Sequence, residues 1–122
     1  MKSFTAALVL LAIMLICIVW NYIYINEVFS EMNAMLDRLP DVGNEDCSTA
    51  AAAICDYWES HVDTVGLSVG YTVVDRVSEQ AATMLSCASC KDLYGFRTAV
   101  ALLRDALGDM RRLEDFSVGN LL

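Results

Sequence analysis

A long uncharged segment at the amino terminus limits what this chain can fold into more than any other feature. From Phe4 to Ile25 the sequence reads FTAALVLLAIMLICIVWNYIYI, and its roughly 22 residues, as a helix, are long enough to cross a hydrocarbon layer of about 30 Å. Trp20, Tyr22 and Tyr24 lie near its end, where aromatic rings favour the headgroup layer. The chain has 122 residues, and the remainder is too small to enclose such a helix in a soluble core. The sequence therefore predicts a transmembrane helix.

We expect this helix to stay on the protein as a signal anchor. A cleaved signal peptide needs small residues at the cut, whereas Ile18, Val19 and Trp20 follow the most apolar stretch. Met14, Leu15 and Ile16 precede Cys17 and lack the small side chains of a lipoprotein signal.

Basic residues near the ends of a membrane helix set its orientation. Lys2 and the terminal amine precede the apolar segment, whereas Glu27 follows it well before the next basic residue, Arg38. We therefore expect a single-pass protein of the cell membrane with a cytoplasmic amino terminus. In this interpretation residues 1–25 form the anchor and residues 26–122 form one extracytoplasmic helical domain.

The charge outside the anchor is strongly acidic. The chain carries 16 Asp and Glu against 8 Lys and Arg, and every acidic residue lies beyond Asn26. Such a surface repels phosphate backbones. Nucleic acid is therefore excluded as a partner, and the charge is interpreted as keeping the domain soluble.

The anchor helix is predicted to continue outward as an amphipathic helix. Its apolar residues recur every three or four positions, and the helix is expected to stop before Pro40. Its apolar positions are Val28, Phe29, Met32, Met35, Leu36 and Leu39. We expect the exposed side of this juxtamembrane helix to offer an interaction surface that includes Met32 and Met35, because methionine side chains adapt to varied partners.

Three more helices are predicted after the loop that follows Pro40. The second begins near Asp46 or Ser48, and Gly66 and Gly70 are expected to bracket a break before the third. The apolar positions are Ala51, Ile54, Cys55, Trp58, Val62 and Val65 in the second helix, and Val74, Val77, Ala81, Met84 and Leu85 in the third. No segment has the pattern of a strand pair.

The fourth helix has the clearest periodicity. It is expected to begin at Ser89 or Asp92, and its apolar positions are Leu93, Phe96, Val100, Leu103, Leu107 and Met110. The tail DFSVGNLL is not expected to continue it. Its apolar residues are expected to dock on the bundle, with binding to a partner as the alternative; they are Phe116, Val118, Leu121 and Leu122. The predicted fold class is all-α, an N-terminal transmembrane helix continuing into a small antiparallel bundle of about four helices.

Several short motifs resemble the domain of unknown function family 4363, small single-pass proteins of Gram-positive, often spore-forming, bacteria. They are the MKSF start, Trp58 on a helix, VVDRV at Val73 to Val77, and the ending Phe-Ser-x-x-Asn-Leu-Leu from Phe116 to Leu122. The resemblance implies a membrane-anchored helical domain without an established activity. It also implies an accessory role, because members are encoded near multi-pass membrane proteins. This chain departs from the family in its four extracytoplasmic cysteines and in lacking the histidine that often precedes the VVD-like segment.

Neither His61 nor the cysteines form a complete catalytic or metal-binding pattern. His61 has no nucleophile signature beside it and is interpreted as an ordinary surface residue. A zinc site would need a second close pair of ligands besides Cys87 and Cys90. A thioredoxin-like C-x-x-C begins a helix after a strand, whereas Cys87 falls where the third helix is expected to end.

A structural disulfide is the favoured interpretation of the cysteines. If the second and third helices form an antiparallel hairpin around Ser68, Cys47 lies opposite Ser89, between Cys87 and Cys90. Either thiol is then within reach of Cys47, whereas Cys55 faces Ala81 and is expected to be a buried free thiol.

The sequence thus favours a membrane-anchored accessory or interaction protein without catalytic activity or cofactor. Its expected partners are the lipid bilayer and another membrane protein. The alternative is a membrane-tethered thiol-disulfide oxidoreductase that uses Cys87 and Cys90.

Overall fold

The computed structural model describes residues 1–41 and 43–121, with their side chains except those at positions 68, 114–118, 120 and 121. In this part of the chain there are four helices and no strands. They are α1 (Lys2–Asp37), α2 (Asp46–Val69), α3 (Tyr71–Ser89) and α4 (Leu93–Leu121). The predicted all-α fold, with a long apolar N-terminal helix that leads into a helical bundle, is confirmed.

Helix α1 is continuous from the apolar segment into the bundle. It ends at Asp37, close to the stop expected before Pro40. Its buried residues are Ile25, Val28, Met32 and Leu36, a spacing of three and four that keeps one stripe against the other helices. The bundle therefore begins at the end of the apolar segment, without a linker between them.

The break between α2 and α3 is a single residue, Gly70, with φ +86° and ψ 159°. A positive φ is readily adopted only by glycine, which explains why α2 ends and α3 begins on either side of this residue. The expectation that Gly66 also marks the break is wrong. Gly66 is a buried residue of α2, its carbonyl accepts a hydrogen bond of 3.2 Å from Gly70 N, and a Cβ there would lie 3.3 Å from the Tyr71 ring.

Two contacts define how α2 and α3 face each other. The Cys55 thiol donates to the Ala81 carbonyl at 3.2 Å, and Trp58 Nε1 donates to Ser78 Oγ at 2.7 Å. Each pair is symmetric about position 68. The antiparallel hairpin with Cys55 opposite Ala81 is therefore confirmed.

Helix α4 begins as predicted after Asp92, whose Oδ1 accepts a hydrogen bond of 3.1 Å from Gly95 N. This N-cap satisfies one of the free amides of the first turn. Helix α4 then continues through Leu121, so the expectation that the tail leaves the helix is wrong. A single glycine at position 119 costs only about 1 kcal/mol, too little to end a helix that gains one hydrogen bond per added residue.

The expected docking of Phe116, Val118, Leu121 and Leu122 lies outside the described side chains. Before that region, α4 runs antiparallel to α1. Arg104 pairs with Asp37 at 2.7 Å. Two turns later in α4, the Arg111 guanidinium lies 5.0 Å from the centre of the ring of Phe29, which comes two turns earlier in α1.

The chain direction alternates between successive helices. The α2–α3 turn and the end of α4 therefore lie at the end of the bundle from which the apolar segment emerges. The connections that precede α2 and α4 lie at the opposite end. This end, which we call the far end, includes Arg38 and Lys91.

Candidate functional site

The first half of α1 exposes apolar side chains in all directions. Side chains between Phe4 and Trp20 are extensively exposed, and none of the most apolar stretch of α1 is buried in the bundle. By length and composition this helix is suited to cross a membrane. Its exposure distinguishes it from the core helix of a soluble protein, which would be covered by its neighbours.

The predicted interaction surface at Met32 and Met35 is corrected by their burial. Met32 is 0% exposed, and Met35 is half-buried against the core. Met32 belongs to the same stripe as Val28 and Leu36, one turn away on either side, and this stripe packs against α2 and α4. Met32 therefore belongs to the core, and Met35 packs against it.

A different face of α1 is open. A groove of about 880 Å³ runs along the C-terminal half of α1, from residue 22 to residue 34, beside Tyr57 of α2. Its lining residues are Tyr22, Ile23, Asn26, Glu27, Ser30, Glu31, Ala34 and Tyr57. The groove begins within the apolar segment and ends above it, so it offers apolar contacts at one end and two carboxylates at the other.

Tyr57 forms the wall of this groove on the α2 side. Burial raises the pKa of its phenol, and the carboxylate of Glu31, the neighbouring Tyr24 and the carboxylate of Glu27 raise the pKa further. The phenol therefore remains neutral at physiological pH and keeps its O–H as a donor. The groove presents a hydrogen-bond donor next to acceptors on α1.

His61 is not the ordinary surface residue that was expected. It is half-buried, with its ring centre 4.4 Å from that of Tyr57 and 5.8 Å from that of Tyr24. Its Nδ1 lies 2.8 Å from the Tyr57 carbonyl and 3.0 Å from Ser60 Oγ. The imidazole is therefore packed between α1 and α2, where it contacts Tyr57 of the groove.

All five cysteines are free thiols in the structure. Cys47 is buried in the first turn of α2, where burial, followed by the negative charge of Asp41, raises the pKa of its thiol. Cys55 is half-buried, and burial, then Asp56 and Glu59, raise its pKa as well. The hairpin register places Cys47 level with position 89, so the bridge to Cys87 or Cys90 stays a prediction for the oxidised protein.

The SCASC segment occupies the last turn of α3 and its C-cap, Cys90. Cys87 is half-buried, and its Sγ lies so close to α4 that a Cβ on Gly95 would be 2.7 Å from it. Reactive thiolates are typically found at helix N-termini, where the dipole favours negative charge; Cys87 lies at the opposite end. Among the described residues, no group of three or more His, Cys, Asp or Glu side chains is arranged to hold a metal ion.

The sequence contained a pattern that indicates the groove, although the interaction surface of α1 was predicted at the methionines instead. Ile23, Glu27, Ser30 and Ala34 follow one another at helical spacing on the side of α1 away from the buried stripe. The contribution of Tyr57 had no such signal, because it depends on how α2 lies against α1. Comparison with protein-family models, with curated proteins and with solved structures found no match for this chain.

Proposed function

We propose that this chain is a membrane-anchored interaction protein without catalytic activity, in which α1 spans the cell membrane once and the bundle binds another membrane protein. The observation that carries the proposal is the groove along α1, which continues from the exposed apolar segment. A partner that fills it must extend from the bilayer into the layer just above it. A multi-pass membrane protein meets this requirement, and the resemblance to family 4363 implies the same accessory role.

The anchor is retained in this proposal because it is part of the folded domain. Ile25 is 0% exposed in the core, and Tyr24 packs against His61. Cleavage at the end of the apolar segment, after Ile25, would remove both residues from the bundle. In this proposal the amino terminus lies in the cytoplasm and the bundle lies outside the cell, which the position of Lys2 before the apolar segment supports.

Membrane fractionation tests the anchor. We expect the protein to remain in the membrane after an alkaline wash and to keep its full mass. A soluble product that begins near Asn21 would contradict a retained anchor. A reporter fused after Leu122 should be active only outside the cytoplasm, and activity inside would reverse the proposed orientation.

Gentle detergent extraction tests the partner. The native protein should co-purify with a multi-pass membrane protein in stoichiometric amount. Ser30→Arg places a long cationic side chain in the groove, at an exposed position, and should abolish this association. Thr98→Arg, at an exposed position on α4, is the matched control and should leave it intact. If the two variants behave alike, the groove is not the binding surface.

The same extraction distinguishes the enzymatic alternative. A thiol-disulfide oxidoreductase forms a mixed disulfide with its substrate. Substrates trapped through Cys87 or Cys90 would support that alternative, whereas a non-covalent partner lost in Ser30→Arg supports the interaction protein.

A further inference from the structure

The turn between α2 and α3 exposes large apolar side chains and carries no charge. Leu67 is 84% exposed and Tyr71 is 66% exposed, although both lie outside the apolar segment of α1. Between Asp63 and Asp75 the sequence contains no charged residue. We call residues 64–74 the apolar tip.

Contacts between α1 and α2 define the height of the apolar tip. The Tyr24 and His61 rings lie 5.8 Å apart, so these residues share one level. From there α2 continues antiparallel to α1 for eight more residues, to Val69, a distance of about 12 Å at 1.5 Å per residue. The tip therefore lies beside the apolar segment, about 6 Å beyond the level of Trp20.

Charged residues on α1, α2 and α3 stop at one level. Along the chain, the uncharged parts of these helices begin or end at Glu27, Asp63 and Asp75. The contact between Tyr24 and His61 and the hairpin symmetry about position 68 place these three positions within about 8 Å of one another along the bundle axis. At the far end, by contrast, both connections carry charges, among them Arg38 and Lys91.

A charge boundary shared by three helices is expected where a membrane surface crosses a bundle. We propose that the apolar tip enters the interfacial layer of the bilayer that holds α1 and forms a second membrane contact, with Leu67 and Tyr71 as the inserted side chains. This inference rests on α1 being the anchor, and it adds a lipid-binding site on a different part of the chain.

Backbone chemistry limits how deep the tip goes. The last carbonyls of α2 and the first amides of α3 have no partner within their helices, and unpaired backbone groups are too costly in the hydrocarbon core. They are tolerated among headgroups and water, at the depth of 5–10 Å that is typical of interfacial segments. The domain is acidic, so apolar insertion drives the contact and anionic lipid does not.

Tryptophan fluorescence of the full chain in vesicles tests this inference. Leu67→Trp places the probe in the tip, and Tyr94→Trp places it at the start of α4, at the far end; both native side chains are 84% exposed. Each variant also carries Trp20→Tyr, so that buried Trp58 is the remaining native emitter in both. The vesicles contain phosphatidylcholine and phosphatidylglycerol, with lipids brominated either near the headgroup or near the chain end.

We expect Leu67→Trp to show blue-shifted emission and to lose intensity with brominated lipid, more with bromine near the headgroup than near the chain end. Added salt should not change this loss. Tyr94→Trp should emit as a water-exposed tryptophan and keep its intensity. Emission of Leu67→Trp that matches that of Tyr94→Trp, in protein that floats with the vesicles, would overturn the inference. If neither variant floats, the anchor is wrong, and the second membrane contact with it.

Discussion

Trp58 shows how a single buried polar group is accommodated in this core. Its side chain is 1% exposed, and its indole N–H donates to Ser78 Oγ at 2.7 Å. An unpaired donor at this depth would cost about 1–3 kcal/mol. Throughout the described part of the chain, no buried side-chain nitrogen or oxygen lacks a hydrogen-bond partner. The indole of Trp58 fills space in the core, and its hydrogen bond to Ser78 also holds the register of α2 on α3.

Asp109 connects α3 and α4 through charge. Hydrogen bonds from Arg112 and then from Arg76, on α3, hold the pKa of its carboxyl below the usual range. A lowered folded-state pKa stabilises the fold at neutral pH, and this contribution disappears as the pH falls through that pKa. We expect Asp109→Asn to lower stability slightly near pH 7, within the 0–1 kcal/mol or so that exposed ion pairs contribute.

Denaturation of the detergent-solubilised chain at a series of pH values checks this prediction. The difference between Asp109→Asn and the native chain should shrink to zero under strongly acidic conditions. Asp63→Asn, at an exposed position of α2, serves as the control. A difference for Asp109→Asn that does not change with pH would show that the carboxylate charge is not the cause.

Among the elements, α4 shows most clearly how one helix divides between core and solvent. Leu103 is 0% exposed, whereas its neighbour Leu102 is 44% exposed. The two side chains are identical and adjacent, so their substitution isolates the effect of burial.

Leu103→Ala should lower the free energy of unfolding by about 2–5 kcal/mol, through lost transfer energy and the cavity left behind. Leu102→Ala should change it by less than about 0.5 kcal/mol. Chemical denaturation of the two variants measures both values. Equal effects would mean that the α4 stripe does not face a packed core.

Two glycines of α4 should respond in opposite directions. Nothing lies within 4 Å of a Cβ built on Gly108, whereas a Cβ on Gly95 would lie 2.5 Å from Asp92 Oδ2 and 2.7 Å from Cys87 Sγ. Gly108→Ala should therefore raise stability by about 1 kcal/mol through helix propensity. Gly95→Ala should lower it, because Asp92 must leave its capping position. Thermal unfolding of both variants checks these opposite changes in stability. Helix propensity alone would predict a gain in stability at each site.

Periodicity was sufficient to predict the helices because burial repeats along each of them. The register of α2 on α3 was also predictable, because a hairpin centred on position 68 brings Cys55 opposite Ala81. The role of His61 was not predictable, because it depends on the packing of α1 against α2, for which the sequence has no marker. Met32 was wrongly interpreted through its flexibility, although its spacing from Val28 and Leu36 already placed it in the core.

At the scale of the whole molecule, three free thiols lie at the far end of the bundle, those of Cys47, Cys87 and Cys90. The observed register places Cys47 beside the end of α3. If the bundle lies outside the cell, as proposed, we expect this oxidising space to favour a bridge from Cys47 to Cys87 or Cys90. A loop of about 40 residues closed in this way should stabilise the domain by a few kcal/mol.

Peptide mapping of protein isolated without reductant checks the bridge. A disulfide-linked peptide that contains Cys47 is expected, with Cys55 recovered as a free thiol because it is half-buried opposite Ala81. A peptide that holds only a Cys87–Cys90 bridge, with Cys47 free, would contradict a structural role and favour redox chemistry.

The continuity of α1 limits the distance from the bilayer at which the domain meets partners. From Tyr24 to Asp37 the helix rises only about 20 Å, and no flexible tether separates the two residues. With α1 as the anchor, the bundle cannot extend far from the bilayer, so it meets other molecules mainly by lateral diffusion in two dimensions. Rotation or tilt of the anchor also turns the whole bundle as a rigid body. A partner that binds α1 within the bilayer therefore reorients the far end directly.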